Sequence, residues 1–398
     1  MLRTAAKSDV WVGRSTVFIV GLAVLVALGL IVLSEAADAA SSGAVRAWGL
    51  NSNGQLGSGT TTDSAVPVSS NINGIKKVAG GSMHSLALKG DGTVRAWGDN
   101  ELGQLGDGTT TDRNIPVKVH GLTNVVAIAA GCYHSLALKR DGTVWAWGSN
   151  KWGSLGDGTT TGRNIPVKVH GLTNVVAIAA GCWHSLALKR DGTVRAWGDN
   201  YSGQLGDGTN APTPWGTNIS NVPVTVKNLA GIKAIDGGYN FSVALKRDGT
   251  VRAWGANLSG QLGDGTTTDH YVRGTVKNLS GVTALAAATG GFHILALKGD
   301  GTVRAWGDNY SGQLGDGTTT EKNLAVKVKN LAGVKRVAAG TYKSLALKGD
   351  GTVRAWGDNY SGQLGDGTTT PRTTPVKVKN LVGVTRIGAG DHHSLAVK

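Results

Sequence analysis

Between Val125 and Gly148, short apolar runs alternate with polar turns. Ser135-Leu136-Ala137-Leu138 and Thr143-Val144-Trp145-Ala146-Trp147 are two such runs, separated by Lys139-Arg140-Asp141-Gly142. An Asp-Gly pair between two apolar runs predicts a hairpin, because glycine accepts the positive φ of a tight turn. Ahead of them, Val125 to Ala130 is rich in alanine and ends at Gly131. Small side chains suit a strand crowded against an axis. Behind them, a long polar loop leads to Ile165-Pro166-Val167-Lys168-Val169. Proline and lysine there mark a sheet edge guarded against unwanted pairing. One unit therefore predicts four strands: an inner Ala-rich one, the Ser-Leu-Ala-Leu strand, the Val-x-Ala-Trp strand and an outer Pro-Val-Lys-Val strand.

The unit recurs. Trp-Gly pairs stand at Trp48, Trp97, Trp147, Trp197, Trp254, Trp306 and Trp356, at intervals of 49, 50, 50, 57, 52 and 50 residues. A period in this range marks stacked or radially arranged units. The two ends of the repeat region decide between these. The region opens with Ala44-Val45-Arg46-Ala47-Trp48-Gly49, a third strand lacking a second, and closes with His393-Ser394-Leu395-Ala396-Val397-Lys398, a second strand lacking a third. Joined, they rebuild one blade. The predicted fold is an all-β, seven-bladed β-propeller of four-stranded blades, closed by N- and C-terminal strands sharing one blade. An open solenoid would need capping repeats instead. The predicted domains are residues 1–40 and 41–398.

Residues 1–40 read as a signal peptide or an N-terminal membrane anchor. Arg3, Lys7 and Arg14 precede an uncharged apolar run from Val17 to Leu33, and Ala37-Asp38-Ala39 follows as a small-residue cleavage site. Either outcome puts the propeller outside the cytoplasm, so the expected location is extracellular or membrane-anchored, with membrane contact only through this segment. The chain carries a net charge of +14, with 62 glycines, 8 prolines and 40% hydrophobic residues, which excludes a disordered chain. Acidic and basic residues cancel within the first 39, so the basic excess belongs to the repeats.

Two cysteines, Cys132 and Cys182, occupy equivalent positions in adjacent units. Blades diverging from a common axis would carry equivalent Cα atoms beyond easy disulfide reach. Two small residues copied together is the alternative, and the pairing stays open at this point.

Asn100-Glu101-Leu102-Gly103-Gln104-Leu105-Gly106, Gly131-Cys132-Tyr133-His134-Ser135-Leu136-Ala137-Leu138 and Val94-Arg95-Ala96-Trp97-Gly98 resemble the regulator of chromosome condensation repeat. The resemblance covers residues 43–398 and implies a seven-bladed propeller. Its members include nuclear guanine-nucleotide exchange factors, domains of ubiquitin ligases and secreted bacterial β-lactamase inhibitors. Fold alone does not fix function. The predicted export argues against exchange activity on a nuclear GTPase, which stays as an alternative beside a secreted enzyme inhibitor.

No nucleophile elbow, zinc-protease motif or phosphate loop stands out, so no enzyme, catalytic residue, metal site or cofactor is expected. His84, His134, His184, His293 and His393 share one position in five units, which predicts a structural role in capping the turn into the second strand. The Gly-Asp-Gly-Thr-Thr-Thr loops read as turn chemistry. Repeated basic residues (Lys89 and its copies, Arg46 and its copies, Lys118, Lys168, Lys327) read as a solvated, edge-protected rim, with an anionic envelope polymer as the functional alternative.

Residues that differ between units carry the functional expectation. The position before the repeated histidine holds Met83, Tyr133, Trp183, Asn240, Phe292, Tyr342 and His392. Strand order places them at the channel mouth. The loops after Trp-Gly, predicted on the same face, carry Glu101, Trp152, Tyr201, Leu258, Tyr310 and Tyr360. Varied aromatic residues suit a recognition surface. An extra segment with Trp215 is a second candidate. The expected partner is a protein or a cell-surface glycan; export argues against nucleic acid. The first set, with Trp152 and Trp215, makes up the candidate partner-binding site of a non-catalytic binding module.

Overall fold

The computed structural model describes residues 43–209 and 218–398. The predicted leader at 1–40 and the candidate Trp215 lie outside the described residues. Seven four-stranded antiparallel sheets follow one another. Blades 1 to 6 hold residues 75–118, 125–168, 175–225, 232–275, 282–327 and 334–377; blade 7 combines residues 386–397 with 45–69. In blade 7, Val45 pairs with Val397, Ala47 with Leu395 and Trp48 with Ser394. The closure expected from the two broken ends is therefore found. Even the hairpin bond is reproduced: Lys398 N–H donates to Ala44 O at 2.9 Å, as Lys89 N–H donates to Thr93 O at 2.9 Å within the continuous blade 1 hairpin.

The core lies between blades. Leu86, Leu88 and Val94 of blade 1 pack with Ala137 and Trp147 of blade 2, and similar clusters recur around the ring. Every Trp-Gly tryptophan is fully buried. Six of them donate the indole N–H to a loop carbonyl of the preceding blade, as Trp147 does to Gln104 O at 2.8 Å. The outer strands carry register shifts against the third strands, as between Arg163 and Val167. Such bulges, with Pro166 and Lys168, blunt the exposed edge as expected.

The repeated histidines are structural, though not as turn caps. They tie blades together. His134 Nε2 meets Ser185 Oγ of the next blade at 2.9 Å, and His84, His184, His293 and His393 do the same to Ser135, Ser242, Ser344 and Ser85. Each serine hydroxyl already donates to a loop carbonyl, Ser185 to Ser154 O at 2.9 Å. The serine oxygen therefore accepts, and the neutral histidine donates from Nε2–H. Two blades break the series. In blade 4 Phe241 replaces the histidine, and its neighbour in blade 5 is Ile294 instead of serine; both are fully buried in one cluster. Losing both polar partners together leaves no orphan. In blade 6 Lys343 takes the position and donates to Gly390 O at 2.6 Å and Asp391 O at 2.9 Å of blade 7.

Cys132 and Cys182 form a disulfide, with Cα atoms 4.5 Å apart. This corrects the expectation that diverging blades hold them out of reach. The cysteines sit on the innermost turns, where blades converge and not where they diverge. Replacing both with serine is expected to cost up to about 4 kcal/mol for a loop of this length. A lowered urea midpoint, equal to that of the reduced parent, checks it.

Candidate functional site: the channel-mouth face

The turn between first and second strands and the loop after the third strand share one face, as expected. Asp99 N–H donates to Met83 O at 2.9 Å, Ser149 N–H to Tyr133 O at 2.8 Å, and the same bond recurs at Trp183, Asn240, Phe292, Tyr342 and His392. This bond explains the glycine of Trp-Gly. Gly148 has φ of 103°, and a Cβ there would stand 2.6 Å from Tyr133 O. Only glycine tolerates both demands.

Asp and Gln of the same loop hold the rim. Asp308 accepts from Tyr310 N–H at 3.0 Å and from Gln313 Nε2 at 2.8 Å, while Asn309 Oδ1 accepts from Leu314 N–H at 2.9 Å. The loop is rigid, yet its tip is presented to solvent. Tyr310 is 85% exposed, Leu258 81%, Tyr360 78% and Tyr201 75%. These four crown blades 3 to 6 in succession. Blades 7, 1 and 2 carry Ser52, Glu101 and Lys151 at the matching place. Trp152, grouped with the tips in the sequence, is one residue out of register. It is half-buried, with Lys151 Nζ 5.3 Å from its ring centre. The most exposed apolar tips thus lie on blades 3 to 6, with Leu102 of blade 1 less exposed at 48%.

Inside the crown lies the ring of residues that precede the histidine position. Tyr133 stacks on Trp183 with ring centres 5.0 Å apart, directly beside the Cys132–Cys182 bridge. Phe292 meets Tyr239, the residue before Asn240, at 5.3 Å. Tyr342 is 38% exposed, and Met83, Asn240 and His392 are half-buried. The Met83 sulfur accepts from Gln55 Nε2 at 3.4 Å. All seven expected ring residues therefore occupy the channel mouth.

The face is acidic as well as aromatic. Burial raises the Tyr133 hydroxyl pKa, and the Asp391 and Asp99 charges push it further. Burial likewise raises Tyr342, helped by Asp308, Asp391 and Asp358. Burial also lifts the Asp99 and Asp199 carboxyls. Below the mouth, a cavity of about 260 Å³ is lined mainly by Ala, Gly and Ile of the first strands. Asp236 stands among them; its oxygens accept from Gly237 N–H and Ala287 N–H at 2.9 Å each, and burial pushes it up to about 6.

Other charged groups pair away from this face. On the opposite face the hairpin aspartates accept from the threonine two residues on, as Asp91 does from Thr93 Oγ1 at 2.6 Å, and Lys89, Lys189, Lys246 and Lys348 pair with them. In the Gly-Asp-Gly-Thr-Thr-Thr loops Asp107 accepts from Thr109 and Arg113, as turn chemistry predicts.

The regulator of chromosome condensation (RCC1) repeat matches residues 42–88, 91–138, 141–188, 191–245, 248–297, 300–347 and 350–397. The chain belongs to the RCC1 repeat family. It is similar to the human E3 ubiquitin-protein ligase HERC2, with 40% identity over 128 residues, 31% of this chain and 3% of that protein. It is also similar to the ultraviolet-B receptor UVR8 of Arabidopsis thaliana, at 34% over 115 residues, 28% of this chain and 26% of that one. The chain thus spans a minor part of both relatives. Among solved structures, Prp20p of Saccharomyces cerevisiae, described with its binding properties to Gsp1p and histones, superposes with a TM-score of 0.77 at 26% identity, covering 90% of this chain and 91% of that one.

Proposed function

We propose that this RCC1-repeat propeller is an exported, non-catalytic binding module that engages a protein through the channel-mouth face. One observation carries the reading. Tyr201, Leu258, Tyr310 and Tyr360 are 75–85% exposed on four successive blades, and the three tyrosines are fixed by backbone N–H bonds to Asp199, Asp308 and Asp358 of their loops. Large apolar tips grouped on one sector signal an interface, whereas single scattered ones do not. Tyrosine on a fixed backbone gives much contact area at low entropy cost. The disulfide supports export, since such bonds persist in oxidising compartments. So does the Val17–Leu33 apolar run behind three basic residues. The likeness to Prp20p, itself described as binding proteins, favours a protein over a glycan. On the opposite face, where an anionic polymer could also bind, four lysines are already paired with aspartates.

The test substitutes all four tips with serine. Hot-spot losses of about 2 kcal/mol each would together weaken capture of the partner by at least about a hundredfold. The melting temperature should stay within about two degrees, because these side chains bury little. Binding that survives the quadruple variant overturns the reading.

A further inference from the structure

We infer that the centre of this face is a receptor for one guanidinium group, an arginine of the protein partner entering the channel mouth along the propeller axis. The inference deepens the binding reading above and rests on it.

Asp391 is the first observation. It sits on the innermost turn of blade 7, yet its carboxylate reaches over to blade 5: a Cβ added to Gly290 would stand 2.4 Å from Asp391 Oδ1 and 2.6 Å from Oδ2. The carboxylate also bears on Tyr133 of blade 2 and Tyr342 of blade 6. A group felt from three blades lies over the mouth. Among the described residues no side-chain hydrogen bond or ion pair satisfies it.

Orphan acceptors are the second. Asn240 Oδ1 and Thr341 Oγ1 are buried and have no hydrogen-bond partner, and Thr341 is only 7% exposed. Both stand on mouth turns, Thr341 at the position in blade 6 that Asp391 holds in blade 7. Natural proteins rarely leave such groups unpaired without a reason. Deeper in, Asp236 adds a carboxylate to a channel wall otherwise made of small apolar residues.

Of the two carboxylates, Asp236 already accepts two backbone N–H groups, whereas Asp391 lacks a donor. A guanidinium supplies five N–H donors in a planar fork and no acceptor, which suits the two oxygens of an unpaired carboxylate. An ammonium offers three donors from a single point and reaches fewer of them. The aromatic pairs Tyr133–Trp183 and Tyr239–Phe292 flank the mouth and add cation–π attraction.

Lys343 is the opposing charge. Its amine is fully buried, and two of its three donors go to the carbonyls Gly390 O and Asp391 O; among the described residues none of its hydrogen bonds goes to the Asp391 carboxylate. The net charge of +14 repels cations from most of the surface, which keeps non-specific binding of a basic peptide low.

The probe is an acetylated, amidated Gly-Gly-Arg-Gly-Gly peptide, titrated calorimetrically into the whole chain at 150 mM salt. Lysine and citrulline analogues serve as comparisons. The expected result is saturable one-to-one binding of the arginine peptide, about tenfold tighter than the lysine one, and none of the citrulline one. Asp391→Asn should weaken it about tenfold or more at unchanged melting temperature. Lys343→Met should tighten it several-fold. Citrulline binding equal to arginine, or binding indifferent to Asp391→Asn, overturns the inference. Loss of partner capture in the quadruple crown variant, with no arginine-peptide binding by the parent, defeats the guanidinium site alone. Partner capture indifferent to the crown defeats the reading beneath it.

Discussion

Truncation after His392 is expected to leave no cooperatively folded propeller at 25 °C, although it removes only six residues. Those residues are not a tail. The strand His393–Val397 is hydrogen-bonded on both sides, to Val45–Gly49 and to Arg386–Ala389. Deleting it opens the middle of blade 7 and exposes two strand edges. Leu395, Ala396 and Val397 are completely buried, and their loss alone is worth about 4–6 kcal/mol. The backbone bonds on both sides add about 0.5–1.5 kcal/mol each. His393 also ties blade 7 to Ser85 of blade 1, so the ring loses a joint as well as a strand. The sum is comparable to the whole stability of an ordinary domain, about 5–15 kcal/mol. Far-UV circular dichroism on heating, with size-exclusion chromatography, reads the outcome. A truncated chain that melts cooperatively within five degrees of the parent would refute the closure argument. The converse control joins Lys398 to Gly43 through a short turn and opens the chain at the exposed hairpin of blade 1. That permutant should fold, because the Lys398–Ala44 bond already mimics an internal hairpin.

The fold was legible because its determinants are local and copied. The Asp-Gly hairpin, the alanine-rich inner strand and the broken blade each follow from short-range patterns, and seven copies remove the ambiguity of any one. What escaped was geometry between copies. The Cys132–Cys182 bond depends on how closely the innermost turns converge, which no single unit encodes. The histidine-to-serine tie crosses a blade boundary, so a histidine read within its own unit looked like a turn cap. Its signal was nevertheless present: Phe241 and Ile294, the two departures, occur in neighbouring units and make sense only as a pair. In the candidate site, the inner ring from Met83 to His392 was legible as the place where copies differ. The grouping of Tyr201, Leu258, Tyr310 and Tyr360 needed exposure values. The reach of Asp391 across the mouth depends on how the innermost turns of separate blades converge.

The histidine ties make the ring acid-sensitive, and the sign can be worked out. Burial lowers His84, His184 and His293 to about 3 and His134 to about 4, and holds His393 well below its usual range. The geometry supplies the reason. Nε2–H is bonded, whereas Nδ1 of His84, His184, His293 and His393 is buried without an acceptor, so an added proton there has nowhere to donate. The unfolded chain protonates these residues near pH 6.5, the native ring only near pH 3–4. Between those values the unfolded state holds more protons, and stability falls as pH falls. Each histidine costs about 1.4 kcal/mol per pH unit across that window. Asp236 opposes them: burial raises its folded value to about 6 from the ordinary 3.8, so it favours the native state as pH drops. Asp99 and Asp199, also raised by burial, oppose them too, yet three carboxyls against five imidazoles still leave a net cost of several kcal/mol near pH 5, a large part of the whole stability. A sharp acid transition between about pH 4 and 5.5 is therefore expected in tryptophan fluorescence, with a net uptake of about four protons. The chain's own exception supplies the control. His134→Phe with Ser185→Ile copies the Phe241–Ile294 pair, removes one titrating tie and should move the transition to lower pH, with neutral-pH stability changed by no more than about 1.5 kcal/mol. His134→Phe alone leaves Ser185 facing an apolar ring and should lose stability at neutral pH. An acid transition unmoved by the double variant would show that the histidines do not set it.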